Sequence, residues 1–155
     1  MGIRHHADAV RPECLHIERQ LFDLNRRLDA LASTCPDWED WYDSLSLDKA
    51  WCLLGRVFQP DSGVKPRPAH RLVESHITYP WGYEAPHISS STFLEPAELY
   101  AAWQDLMTVT DEDVRRELKG VRPDDVDYAL HHLAAAKEYF GRLVDRGCGV
   151  RFYIG

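Results

Sequence analysis

The side chains best suited to chemistry in this 155-residue chain fall in two stretches. In "SLSLDKAWCLL" an aspartate and a lysine, Asp48 and Lys49, stand side by side at the start of an apolar run. In "SHITYPWGYEAPHISSS", His76, Tyr79, Trp81, Tyr83, Glu84 and His87 crowd around prolines and a glycine that demand turns. A paired or perturbed lysine can serve catalysis. Polar and aromatic groups on a loop can equally form a recognition surface for another protein, where aromatic side chains act as low-entropy anchors. If the two stretches converged, Asp48 and Lys49 would meet His76 or His87 across a cleft.

Other sets of reactive residues are less well arranged. Two histidine doublets, His5-His6 and His131-His132, invite a metal reading. Neighbours on a strand point to opposite faces, and neighbours on a helix are about 100° apart, so neither doublet makes a natural chelate. The cysteines at 14, 35, 52 and 148 have no CxxC spacing and read as reduced thiols, mostly small core hydrophobes. No GxSxG elbow, phosphate-cradling GxxxxGK[ST], GxGxxG or HExxH is present. No metal and no cofactor is expected.

A formal net charge of −7 opposes binding to a phosphate backbone, so no nucleic-acid partner is expected. No apolar run approaches the roughly 20 residues that span a bilayer, and "MGIRHHADAV" lacks the apolar core of a secretory signal. The expected location is the cytoplasm. A hydrophobic share of 45% is enough for a real core, and the length suits one domain over 1–155.

The elements that must position these residues are mostly helical. Both termini alternate: Ile3, His5 and Ala7 against Arg4 and His6, then Val150, Phe152 and Ile154 against Arg151 and Tyr153. The pattern predicts two strands of one sheet. From Pro12 to about Ala32, Cys14, Ile17, Leu21, Leu24, Leu28 and Leu31 recur at helical spacing. "STCPDWEDWYDSL" reads as a second, shorter helix with Trp38, Trp41, Tyr42 and Leu45 on one face and Asp37, Glu39, Asp40 and Asp43 on the other. "QPDSGVKPRPAH" is a loop, and the segment after it reads as one or two strands interrupted by the aromatic turn at Pro80 and Gly82. "LEPAELYAAWQDLM" is helical, with Pro96 in the first turn and Leu99, Trp103, Leu106 and Met107 as its buried face. Thr110 and Asp113 have capping-box spacing. The last helix runs from about Pro123 to Arg146, its stripe Val126, Leu130, Leu133, Phe140 and Val144, and Gly147 stops it.

Within this scheme Leu47, Trp51, Leu54 and Phe58 share one face of a helix that begins at the Asp48-Lys49 pair. A carboxylate in the first turn is favoured by the free amides and the positive end of the dipole, so helix initiation accounts for Asp48. Lys49 sits at the wrong end of that dipole. Compensation is expected from Asp48, or from the carboxylates at 37, 39, 40 and 43.

"SLSLDKAW", "STFLEPAELYAAWQDL", "DEDVRREL" and "YFGRLVDRGCGVRFYIG" together resemble the YfbM-like family of bacterial proteins of unknown function. The matching positions are Leu47, Asp48, Lys49 and Trp51, then Leu94, Pro96 and Glu98, then Gly147 and the strand after it. Where many members carry a Leu-His pair after the tryptophan, this chain reads "CLLGRVF", so no role for that histidine is transferred. It also lacks their Ile-Tyr-Pro segment between the late helices. The resemblance implies an α+β fold: a mostly helical single domain with helices packed around a small sheet that contains the N- and C-terminal strands.

The functional expectation is a non-catalytic module that binds a protein partner through an acidic and aromatic surface. The alternative is a small-ligand-binding protein or enzyme with a cleft between the start of the 47–54 helix and the 76–87 aromatic turn. Asp48, Lys49, His76, Tyr79, Trp81, Tyr83 and His87 are the ligand or partner candidates. No catalytic residue can be named, and the oligomeric state is left open.

Overall fold

The computed structural model describes residues 4–23, 43–74 and 90–154. Four strands, β1 (His5–Val10), β2 (Ser44–Asp48), β3 (Ser90–Leu94) and β4 (Gly149–Ile154), form one antiparallel sheet in the order β2-β1-β4-β3. The two terminal strands are therefore the central pair, with Ala7 opposite Phe152 and Asp8 opposite Arg151. Alternation decides which face each side chain takes. Ala7, Ala9, Val150, Phe152 and Leu94 turn into the main core, while Val10 and Phe93 belong to a second, smaller cluster.

Four helices cover the main face: α2 (Ala50–Phe58), α3 (Pro96–Thr108), α4 (Asp111–Glu117) and α5 (Pro123–Asp145). Leu54, Leu99, Leu106, Leu118, Leu133, Phe140 and Leu143 are fully buried between them. Each such side chain contributes about 1.5–3 kcal/mol by leaving water, which makes this layer the stable part of the molecule. The other face is covered by α1 (Leu15–Asp23), which follows a 3-10 turn at Pro12–Cys14. Leu15 packs there on Val10, Cys14 and Phe93.

Several local expectations are met by named contacts. Thr110 Oγ1 accepts the amide of Asp113 at 3.1 Å and Asp113 Oδ2 accepts the amide of Thr110 at 2.9 Å, completing the box at the start of α4. Those bonds, with Arg116 beside them, hold the Asp113 carboxyl down at about 2. Gly147 takes a φ of 66° after α5, and the amide of Cys148 reaches back to the carbonyl of Leu143 at 3.0 Å.

Three expectations need correction. The helix drawn through residue 45 does not reach it, since Ser44–Asp48 is a strand, and the helix expected from Leu47 starts at Ala50. "SLSLD" fits period 2 as well as "LDKAWCLL" fits period 3.6. Pairing with β1 settles the competition, because it buries Leu47 beside Leu45 on the core side and leaves Ser46 outside. The rest of the acidic helix, and the Pro12 to Ala32 helix beyond Asp23, lie outside the described residues. The thiol reading holds for Cys52 and Cys148, which are free, whereas Cys14 is disulfide-bonded.

Candidate functional site

Asp48 ends β2 and has a φ of 44°; among the described residues it is the non-glycine residue with a positive φ. Its partner across the ladder is His5, where the register of β1 and β2 shifts. Ser46 bridges the irregularity: its Oγ donates to the carbonyl of His5 at 3.4 Å and accepts the amide of Asp48 at 3.3 Å. The chain then turns through Lys49 into α2.

The bend directs the Asp48 carboxylate at α5. The hydroxyl of Tyr128 donates to Oδ2 at 2.7 Å, and Arg4 Nε lies 3.0 Å from Oδ1 as an ion pair. The Tyr128 bond, followed by Arg4 and by the amide and charge of Lys49, holds the Asp48 carboxyl below the usual carboxylate range. Burial, with the Asp48 bond added, pushes the Tyr128 phenol up. One turn on, the His132 ring meets Tyr128 edge-on at 4.5 Å. Burial and neighbouring His131 lower the His132 pKa, opposed by Asp48 and the Ser46 backbone.

These directions limit the chemistry. A carboxylate stabilised in its charged form is a poor proton acceptor near neutral pH, and a phenol with a raised pKa is a poor nucleophile. Lys49 is exposed, and among the described residues it forms no ion pair of the kind Arg4 makes with Asp48. Asp43, one of its expected partners, is instead held by Arg142 at 3.2 Å and Arg146 at 3.3 Å. The charge of neighbouring Asp48 acts on Lys49 at the helix start, and the carboxylates at 37, 39 and 40 lie outside the described residues.

Of the candidate residues, Asp48 and Lys49 lie together at this junction. His76, Tyr79, Trp81, Tyr83 and His87 lie outside the described residues. Arg4, Tyr128 and His132 were not singled out by the sequence as partners of Asp48. The one available signal is that Tyr128 and His132 are four residues apart and so share a face of the last helix. Among the described residues no group of three or more His, Cys, Asp and Glu is placed to hold a metal. The strand doublet behaves as alternation requires: His5 is buried against Phe152 with Nε2 on the carbonyl of Leu72 at 3.0 Å, and burial depresses its pKa to about 4, while His6 lies on the opposite face beside Asp8.

A second surface emerges on α3, where the expected buried face is corrected. Leu99, Ala102 and Leu106 are buried, but Trp103 is half-buried and Met107 is 48% exposed. Tyr100, at 47% exposure, lies on the same side, so residues 100, 103 and 107 form one stripe at spacings of three and four. Trp103 is seated on α5 because Gly141 has no side chain there: a Cβ would come within 3.3 Å of Nε1, which donates to the carbonyl of Lys137. Gln104 fixes the Tyr100 hydroxyl at 2.7 Å.

Among the described residues, a four-stranded antiparallel sheet with four helices on one face and α1 on the other defines an α+β protein. The fold is similar to that of YfbM from Escherichia coli, a protein of unknown function, with a TM-score of 0.62 over 98% of this chain and 99% of that one. The two sequences are 14% identical, so the likeness concerns the fold. The resemblance read from Leu47, Asp48, Lys49 and Trp51 is met at that level. No protein-family model matches the sequence, and no curated protein matches it either. Among the described residues no helix is long and apolar enough to cross a membrane.

Proposed function

We propose that the chain is a non-catalytic protein-binding module and that the Tyr100–Trp103–Met107 stripe of α3 is its docking surface. The observation that carries this reading is the exposure of Tyr100 and Met107 on either side of a half-buried tryptophan bonded to α5. Aromatic residues and methionine are the types enriched in interface cores, and methionine adapts its shape to a partner. The net charge of −7 favours a partner segment with apolar anchors and basic flanks, because opposite charge speeds encounter and rejects acidic competitors. The charge states of Asp48 and Tyr128 support the non-catalytic side of the reading.

A photo-crosslinking residue at position 100, compared with one at exposed Val64, tests it. The expected result is a saturable adduct at 100 that maps to a basic-flanked apolar segment and disappears in Met107→Glu. Equal labelling at both positions, or adducts confined to a second copy of this chain, would overturn it.

A small-ligand site at the start of α2 is the second reading, favoured by the positive φ of Asp48, since such strain clusters at functional sites. A compound that raises the melting temperature of the native chain but not of Lys49→Ala would support it; equal shifts in both would count against it.

A further inference from the structure

The face of the sheet under α1 carries a buried charged cluster. Asp8 on β1 and Arg151 on β4 are opposed in register, and Glu18 comes down on them from α1. Their exposures are 8%, 4% and 3%, far below what surface charges show. Arg151 Nη2 is 3.4 Å from Asp8 Oδ2, while Nη1 is 3.7 Å from Glu18 Oε2, beyond hydrogen-bond reach. Glu18 Oε1 is buried with no hydrogen-bond partner. Among the described residues two carboxylates thus share one guanidinium, and Glu18 holds the weaker share.

The other charged groups around Glu18 do not make up the deficit. From β1, His6 lies 3.2 Å from Asp8 and attends that carboxylate. On α1 itself Arg19 is engaged in a two-pronged pair with Glu95, which precedes α3. In the turn before α1, Arg11 pairs with Glu13 at 3.3 Å. A buried carboxylate in this position is relieved by taking up a proton, after which it can donate a hydrogen bond and no longer repels Asp8.

We propose that Glu18, Asp8 and Arg151 form a proton-dependent latch, with α1 docked on the sheet while Glu18 is neutral and loosened when Glu18 ionises. Burial raises the Glu18 pKa, Arg151 opposes it only in part, and the Asp8 charge adds a smaller push upward. The sign follows from linkage. With the docked-state pKa above that of the open chain, the stabilising contribution is complete below the ordinary carboxylate range. It is lost as pH rises through the raised value. Between the two the opening constant grows by at most about tenfold per pH unit and then levels off. The main helical layer holds no part of this cluster, so α1 responds alone.

Hydrogen exchange of the intact chain, corrected for intrinsic rates over a pH series from about 4 to about 8, reads the latch directly. Protection of the Leu15–Asp23 amides is expected to fall as pH rises while that of α5 stays level. Glu18→Gln should flatten the α1 profile and match or exceed native protection at the upper end. Asp8→Asn should make the fall shallower, because Glu18 then has Arg151 to itself; it carries the test alone if Glu18→Gln fails to fold. A flat native profile, a native slope retained in Glu18→Gln, or α1 and α5 falling together would overturn the proposal.

Discussion

The Tyr128 hydroxyl is bonded to the Asp48 carboxylate at 2.7 Å across 80 residues of sequence, tying α5 to the end of β2. The depressed Asp48 pKa means that its contribution to stability is present above the ordinary carboxylate range and is lost as pH falls through the folded value. Tyr128→Phe should move the Asp48 carboxyl back up toward that range and flatten the acid limb of the stability profile. Carboxyl NMR titration and melting curves from acid to neutral pH measure the two effects. An unmoved Asp48 titration would mean that Arg4 and Lys49 sustain the shift without the phenol.

Backbone strain at the same residue makes a separate prediction. A φ of 44° is tolerated by Asn and Asp, whose short polar side chains bond locally, and resisted by β-branched residues. Asp48→Asn should therefore melt nearest the native chain, Asp48→Ala lower, and Asp48→Val lowest. Val melting with Asn would show that the carboxylate contacts, not the backbone, set the cost.

Asp48 also shows where sequence reasoning reached its limit. Leu45 and Leu47 fit a two-residue period while Leu47, Trp51 and Leu54 fit a 3.6-residue one, so Leu47 belongs to both patterns, and only the presence of β1 beside it decides in favour of a strand. Tyr128 could not be matched to Asp48 because nothing local links them. Elements specified by adjacent residues were legible: the alternation of Val150, Phe152 and Ile154, the Thr110–Asp113 box and the Gly147 stop. On α3, Met107 follows buried Leu106 and reads as part of the same stripe, but one residue is a rotation of about 100°, enough to carry it into solvent.

Tyr139 joins α5 to two strand segments through one hydroxyl, 2.9 Å from the carbonyl of Asp43 and 3.3 Å from that of Ala7. The nearer acceptor keeps a backbone donor, since the Ala9 amide also bonds to the Asp43 carbonyl at 3.1 Å. Tyr139→Phe should thus cost only about 1 kcal/mol in chemical denaturation, the net worth of one neutral hydrogen bond. A loss of several kcal/mol would imply that the hydroxyl organises the strand as well as bonding to it.

Two glycines predict opposite outcomes for the same substitution. A Cβ at Gly149 would meet the Leu94 carbonyl at 2.8 Å and Leu15 and Phe93 at 3.0 Å, so Gly149→Ala must push β4 or α1 aside, at about 1–3 kcal/mol. At Gly55, inside α2, the nearest contact is Val73 at 3.9 Å, and Gly55→Ala should stabilise by up to about 1 kcal/mol through helix propensity. Equilibrium unfolding of both variants checks the pair, and destabilisation by Gly55→Ala would show that α2 has less room than its contacts indicate.

Adjacent residues on α3 separate folding from docking. Leu106 is 1% exposed within the main core, and Leu106→Ala should cost about 2–5 kcal/mol. Met107 is 48% exposed, and Met107→Glu should change stability by no more than about 0.5 kcal/mol, as expected of a surface position. If the α3 stripe docks a partner, the same Met107→Glu abolishes the crosslink from position 100 while leaving the melting curve unchanged. That combination distinguishes a docking residue from a packing residue, because a side chain that mattered to the fold could not lose binding alone. A large stability loss in Met107→Glu would return the methionine to the core and remove the stripe's claim to be a free surface.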